Sequence, residues 1–251
     1  MHRRIYVVLI ANEKGGGGKS ITAVNLGGEF ARRGLRTTLI DADPQATLTR
    51  TFVGADHQRM SIGALLQRGQ ADVAISTIPL DLFLALIVGD REIALIEDGA
   101  ELSTSLEQII SALTVGTDIV VIDTPGRLGV VLTMALAVAD CVVIPTGVGV
   151  TGDIAALTTT VDRVERATAP SIPKIILPTD YQRRESPQRY GLDELSRIYG
   201  TWLAPAIPHS VRVAAAANAQ LTLAQYAPTA PVTQAYAQLA ERILAHREVQ
   251  S

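Results

Sequence analysis

The stretch 5-IYVVLIANEKGGGGKSITAVNLGGEFARRG-34 constrains the fold of this chain more than any other. Residues 5 to 11 are a short apolar run that reads as a buried strand, and residues 19 to 33 read as a helix ending near Gly34. Between them lie four consecutive glycines. Strand, glycine loop and helix in that order form a unit that needs neighbouring strands to cover it, which points to a layered α/β architecture. The loop ends in Gly18-Lys19-Ser20, as the phosphate-binding pattern G-x-x-x-x-G-K-[ST] does. The first glycine of that pattern falls at position 13, where this chain has Glu13, and a second lysine, Lys14, follows it.

The rest of the chain continues the alternation. Strands are expected at 37 to 40, 118 to 122, 141 to 144 and 174 to 177; helices at 128 to 139, 152 to 167, 189 to 199 and 230 to 246. Between 61 and 114 the pattern weakens, with helices expected at 61 to 68 and 102 to 114 and an unassigned apolar stretch at 82 to 88. The polar stretch 178 to 188 reads as a surface loop. A mainly parallel, doubly wound sheet flanked by helices follows, with right-handed crossovers. Composition agrees: 47% hydrophobic residues but 4% aromatic gives a core of Ala, Val, Leu and Ile. A single domain spanning 1–251 is expected. One cysteine, Cys141, excludes a disulfide framework or a cysteine metal site, and its apolar setting makes it a small buried residue. Trp202 reads as core, and none of the four histidines has partners at metal spacing. The chain opens without a leader and has no apolar run of membrane-spanning length, so a cytoplasmic location is expected.

Glycines Gly15, Gly16, Gly17 and Gly18 let successive backbone N–H groups turn inward, and the following helix adds a partial positive charge at its N-terminus. Both suit a polyphosphate. Lys19 would neutralise phosphate oxygens and Ser20 would place its hydroxyl on Mg²⁺. Only three lysines occur, at 14, 19 and 174, so two in one loop are not ordinary surface charge. Asp123 ends the apolar run DIVVID, the layout of a Walker B carboxylate at a magnesium site. Asp41 and Asp43 follow the second strand. They are read as pointing to opposite sides with separate roles, one toward a metal and the other toward an attacking water; turn residues before Pro44 are the plainer alternative.

The segments NEKGGGGKS, DADPQATLT, VVIDTPG, VVIPTGVGV and AIPHSVRVAAAANAQLTLAQYAP resemble, in order and over nearly the whole chain, the deviant-Walker P-loop ATPases of the ParA type. The glycine loop with D-x-D-P-Q is highly specific; VVIDTPG alone is weak. The resemblance implies ATP and Mg²⁺ as cofactors and a homodimer in the ATP state. It makes Lys14 the signature lysine that reaches the nucleotide of the other subunit. It puts Lys19 on the phosphates, Ser20 on magnesium, Asp41 in support of the metal's water shell, Asp43 on the attacking water and Asp123 at Walker B. Gly15 to Gly18, Ile21 and Pro208 complete the expected nucleotide set. Gly126 departs from the more usual second proline, and His209 stands where an arginine often follows Pro208.

The resemblance also implies nonspecific DNA binding by the ATP dimer, nucleoid association in that state and a ParB-like partner that stimulates a slow ATPase. Arg183, Arg184, Arg189, Arg197 and Arg212 are the candidate DNA contacts, set against three carboxylates within 181 to 212 in a chain of net charge −3. Relatives tend to carry further arginines where this chain has Ala204 and Gln225. The short lead before the first strand implies that the N-terminal DNA-reading extension of longer ParA proteins is missing. The alternative is a MinD-like, ATP-switched membrane-associated positioning protein; the polar end ERILAHREVQS argues against stable membrane association. A dethiobiotin-synthetase-like ligase is opposed by Lys14 and DADPQ, and an iron protein of the nitrogenase type by the single cysteine.

Overall fold

The computed structural model describes residues 4–54, 59–69, 73–113, 116–127, 129–148 and 151–250. Strand β1 (Tyr6–Ile10) runs through the glycine loop into helix α1 (Lys19–Arg32), and β2 (Thr37–Asp41) follows. A variable region comes next: α2 (Thr47–Phe52), α3 (Ile62–Arg68), α4 (Val73–Ser76), β3 (Thr77–Pro79), β4 (Leu84–Ile87), α5 (Glu92–Glu97) and α6 (Leu106–Ala112). Regular alternation then resumes with β5 (Ile119–Asp123), α7 (Val130–Val138), β6 (Cys141–Gly147), α8 (Thr151–Ala167), β7 (Lys174–Thr179) and α9 (Ser186–Tyr199). After a 3₁₀ turn at Gly200–Trp202 the chain closes with α10 (Val211–Asn218), α11 (Leu223–Tyr226) and α12 (Pro231–Gln250).

Seven strands form one sheet in the order β3-β4-β2-β5-β1-β6-β7, parallel throughout except for β3 on β4. The expected doubly wound α/β sheet is the fold observed. Alternation along β1 shows how both faces are filled: Val7 and Leu9 enter one apolar cluster, Tyr6, Val8 and Ile10 the other. The first cluster lies under α3, α5, α6, α7 and α8; the second lies under α1, α11 and α12, where Phe30 and Tyr236 are fully buried. Cys141 belongs to the second cluster and is fully buried, its thiol pushed up to about 12 by burial. Trp202 is only partly buried, packed on the first cluster with the Lys174 ammonium 5.8 Å from its ring centre.

Several boundaries differ from expectation. The apolar stretch 82–88 holds β4, which pairs antiparallel with β3 across a turn at Asp81, whose carboxylate takes the Phe83 and Leu84 N–H groups at 2.8 Å. The helix expected at 102 to 114 is Leu106–Ala112, because Ser105 and Gln108 close a capping box there. The loop expected at 178 to 188 is shorter: β7 extends to Thr179, and Pro187 sits in the first turn of α9, where its missing N–H costs nothing. Helices α2, α5, α10 and α11 are not expected from periodicity at all, being four to eight residues long. The helix expected at 128 to 139 begins at Val130, and residue 128 lies outside the described residues.

Candidate functional site

The parallel strands deliver β1, β2 and β5 to one edge, and the loops leaving their C-terminal ends converge there. The glycine loop is built from the bottom up by buried amides and hydroxyls. The Asn12 side chain donates to the Pro145 carbonyl at 2.5 Å and accepts the Lys14 N–H at 2.9 Å, fixing the loop's entry. Gly16 (φ 78°) and Gly18 (φ 83°) occupy the left-handed region, which side chains rarely adopt. Gly17 is required for space: a Cβ there would lie 2.8 Å from the Asn12 amide and 3.1 Å from the Pro145 carbonyl oxygen. On the exit side, the Thr179 hydroxyl lies 3.2 Å from both the Gly17 and the Thr146 carbonyls, binding β7 to the loop. α1 starts at Lys19 with no side chain capping it, so its first N–H groups remain available to an anion.

Glu13, in place of the pattern's first glycine, ion-pairs with Arg163 of α8 at 3.2 Å and ties the loop to that helix. Lys14 is exposed at the loop's tip with Gly15 and Gly16. Lys19 is buried and lies across the loop, donating to the Lys14 carbonyl at 3.3 Å. Burial holds its ammonium below the usual lysine range, against the pull of Asp123 and Asp43. A Cβ at Gly126 would sit 3.2 Å from the Lys19 Nζ. The glycine in place of the usual proline therefore leaves the ammonium room to rest there.

The carboxylates lie beside it. Asp41 and Asp123 end neighbouring strands in direct register, and both are 0% exposed. Asp41 is held by Thr49, whose N–H and hydroxyl both donate to its Oδ2 at 2.7 Å; the same hydroxyl accepts the Gly89 N–H at 2.8 Å. Even so, burial pushes Asp41 up to about 6. Asp123 has no such support: neither oxygen has a hydrogen-bond partner among the described residues. Burial first, then the charge of Asp41, pushes it up to about 8. The Ser20 hydroxyl and the Lys19 ammonium ease that shift, but neither closes a hydrogen bond of good geometry.

The expectation that Asp41 and Asp43 point to opposite sides is corrected by this arrangement. Residues two apart on a strand share a side, and here Asp43 donates its N–H to Asp41 Oδ1 at 3.3 Å while its charge acts on both Asp123 and Lys19. A fully buried carboxylate whose oxygens have no partner among the described residues, beside a hydroxyl and below a cationic loop, fits a hydrated divalent cation bound with a phosphate.

The remaining candidates lie on the rim. Ile21 is 45% exposed and, with Leu48, Val213 and Leu221, lines a small apolar cleft of about 50 Å³ beside Ser20. Pro208 pairs with Tyr181, two residues past Thr179, and the His209 Nδ1–H donates to the Asp180 carboxylate at 2.6 Å. Arg183, Arg184, Arg189 and Arg212 are exposed; Arg197 is paired with Glu194 at 2.6 Å on the same face of α9, which reduces its free charge. Ala204 is buried on Ile176, and Gln225 is spent on the cap of α11 and on Asp81. A larger cavity of about 870 Å³ lies at the opposite end of the strands, lined by Arg4, Asp140, Leu136, Pro173 and His246. It touches none of these residues. Asn12, Thr49, Gly89 and Thr179 were not singled out from sequence. Asn12, Gly89 and Thr179 are small polar or glycine residues at or just past a strand end, and Thr49 is one threonine of the short helix α2; none gives a periodic signal.

Residues 5–174 match the AAA domain family. The chain is 31% identical over 251 residues to the chromosome-partitioning ATPase Soj of Thermus thermophilus, covering 98% of each chain. It is also 31% identical to the chromosome partitioning protein ParA of Caulobacter vibrioides, over 95% of this chain and 93% of that one. In structure it superposes on apo McdA from Cyanothece with a TM-score of 0.80 at 19% identity, covering 96% of this chain and all of the other. Near-full-length identity to partition ATPases, over a P-loop whose second lysine and paired aspartates are in place, makes the chain a member of the ParA/Soj family of P-loop ATPases.

Proposed function

We propose that the chain binds ATP with Mg²⁺ at the glycine loop and pairs with a second copy of itself while ATP is bound. In that form it holds duplex DNA without regard to sequence, until a ParB-like partner stimulates hydrolysis. The observation that carries this reading is Asp123, fully buried with neither oxygen partnered among the described residues, beneath a loop that presents two lysines. Mg²⁺ would neutralise phosphate charge when bound. Ser20 and Asp123 would hold it, with Asp41 orienting its water shell from the Thr49 hydroxyl. Gly15 to Gly18 and the start of α1 would orient the phosphates, and Lys19 would neutralise them. Asp43, half-buried at the mouth, would orient the attacking water. Exposed Lys14 would bring its charge to the nucleotide of the second copy, where phosphate charge otherwise opposes close approach. Ile21 and Pro208 would flank the base.

Arg183, Arg184, Arg189 and Arg212 support the DNA contact as an exposed basic rim, with Arg197 tempered by Glu194. A membrane role finds less support: among the described residues of α12, Val249 is the exposed large apolar side chain, while Tyr236, Leu239 and Ile243 are spent on the core. No helix among the described residues is long and apolar enough to cross a membrane. The test is binding to nonspecific duplex DNA without nucleotide, with ADP and with ATP and Mg²⁺, across a salt series. Binding only with ATP, weakening steeply with salt, supports the reading. Absence of binding in every state, with ATP turnover intact, removes DNA as the partner.

A further inference from the structure

The loop after Asp123 is anchored at both ends, and one anchor comes from a distant helix. At its start the Thr124 hydroxyl donates to the Ile10 carbonyl at 2.8 Å. At its far end, where α7 begins, the Glu97 carboxylate from the last turn of α5 accepts the Val130 N–H at 2.8 Å and the Val131 N–H at 3.2 Å. Glu97 thus caps a helix that starts 33 residues away, at Val130, seven residues beyond Asp123. Gly129 shows how closely the two are fitted. Its φ of −169° is extended backbone that any residue adopts, so no turn requires a glycine. Space does: a Cβ at 129 would overlap the Glu97 carboxylate.

The turn that leads from β4 into α5 reaches the other aspartate loop. Gly89, just after β4, packs its backbone on Asp41 and donates its N–H to the Thr49 hydroxyl that holds the Asp41 carboxylate. The short stretch from Gly89 to Glu97 therefore grips both carboxylate-bearing loops, one through Thr49 and one through the α7 cap. Between the two anchors, Gly126 faces the Lys19 ammonium.

We propose that Glu97 is a positioning residue for hydrolysis: by capping α7 it fixes the loop running from Asp123 through Gly126, and Gly129 is present to admit its carboxylate. The proposal rests on the ATPase reading for its kinetic consequence and on the geometry alone for its structural one. Glu97 touches neither the phosphates nor the metal seat, so its loss leaves nucleotide binding in place and slows the step that needs the loop held.

The experiment compares wild type, Glu97→Ala, Glu97→Gln and Gly129→Ala. Gly129→Ala displaces only the free end of a flexible side chain, so the fold survives while the cap is lost. Amide hydrogen exchange of the 124–136 peptide is expected to quicken about tenfold in Glu97→Ala and in Gly129→Ala, and less in Glu97→Gln, which keeps one acceptor. The ATP-turnover kcat is expected to fall about fivefold or more in the first two with KM within about twofold, and a double variant carrying both Glu97→Ala and Gly129→Ala to be no worse than either single one. Unchanged exchange in Gly129→Ala and Glu97→Ala overturns the anchor. Equal loss through KM alone, or additive losses in the double variant, overturns the positioning role. A wild type that does not hydrolyse ATP removes the ATPase reading and the kinetic role with it, and leaves the exchange comparison to decide the anchor.

Discussion

Asp41 and Asp123 stand side by side at the ends of β2 and β5, paired in register and fully buried, with Thr49 bonded to one and, among the described residues, no hydrogen-bond partner on the other. Two carboxylates so placed cannot both ionise cheaply in the absence of a cation: burial lifts Asp41 to about 6, and burial with the charge of Asp41 lifts Asp123 to about 8. Stability is given up at this edge of the sheet, and a bound cation is what returns it.

That conflict has a sign. A carboxyl whose value is raised in the folded state keeps its proton longer folded than unfolded, so its stabilising effect is full below pH about 4 and is lost as pH rises through about 8. Asp123→Asn removes the conflict. The metal-free variant is expected to be more stable than wild type by roughly 2 kcal/mol or more at pH 8, with a shallower dependence between pH 6 and 8. Thermal melting in chelator at the two pH values measures both. A variant that melts no higher than wild type at pH 8 contradicts the assignment.

Asp43 and Lys19 should separate binding from hydrolysis. Asp43→Ala is expected to keep ATP and lose turnover by roughly a hundredfold, because it removes the group proposed to orient water. Lys19→Ala is expected to weaken nucleotide binding itself by roughly a hundredfold. Titration of a fluorescent ATP analogue alongside phosphate release checks both. Normal turnover in Asp43→Ala would show that another group positions the water.

Within the glycine loop, not all glycines carry the same burden. Gly17→Ala forces a methyl against the Asn12 amide and the Pro145 carbonyl, and is expected to cost about 1–3 kcal/mol in stability. Gly15→Ala meets nothing within 4 Å among the described residues and is expected to leave stability within about 0.5 kcal/mol of wild type. Denaturant melts of the two variants decide it, and equal effects would mean the loop relaxes freely around Asn12.

The sequence was most legible where local and long-range demands agree. The runs IYVVLIA, DIVVI and CVVI are buried on both faces and could be little else, so β1, β5 and β6 are readable from apolar content alone. Gly16 and Gly18 announce a left-handed loop, and Lys19 and Ser20 its purpose. The stretch from 61 to 114 was harder because its elements are short. β3 has three residues and is an antiparallel edge strand set by the Asp81 turn. Thr49, Gly89 and Glu97 were illegible for a different reason: each acts on a residue that only the tertiary fold brings near, and a lone threonine, glycine or glutamate gives no periodic signal. Ala204 and Gln225 illustrate the converse. Their departure from the family's arginines is visible in sequence, but only the structure shows one buried and the other engaged in a cap.

The central claim is that ATP joins two copies of the chain through Lys14. The most direct measurement is sedimentation of Asp43→Ala, which should not consume its nucleotide, with ADP or with ATP and Mg²⁺, beside the same protein carrying Lys14→Ala as well. A dimer with ATP alone, reverting to monomer when Lys14 is replaced although ATP still binds, is the predicted result. A dimer that forms regardless of nucleotide, or one that persists in Lys14→Ala, would contradict it.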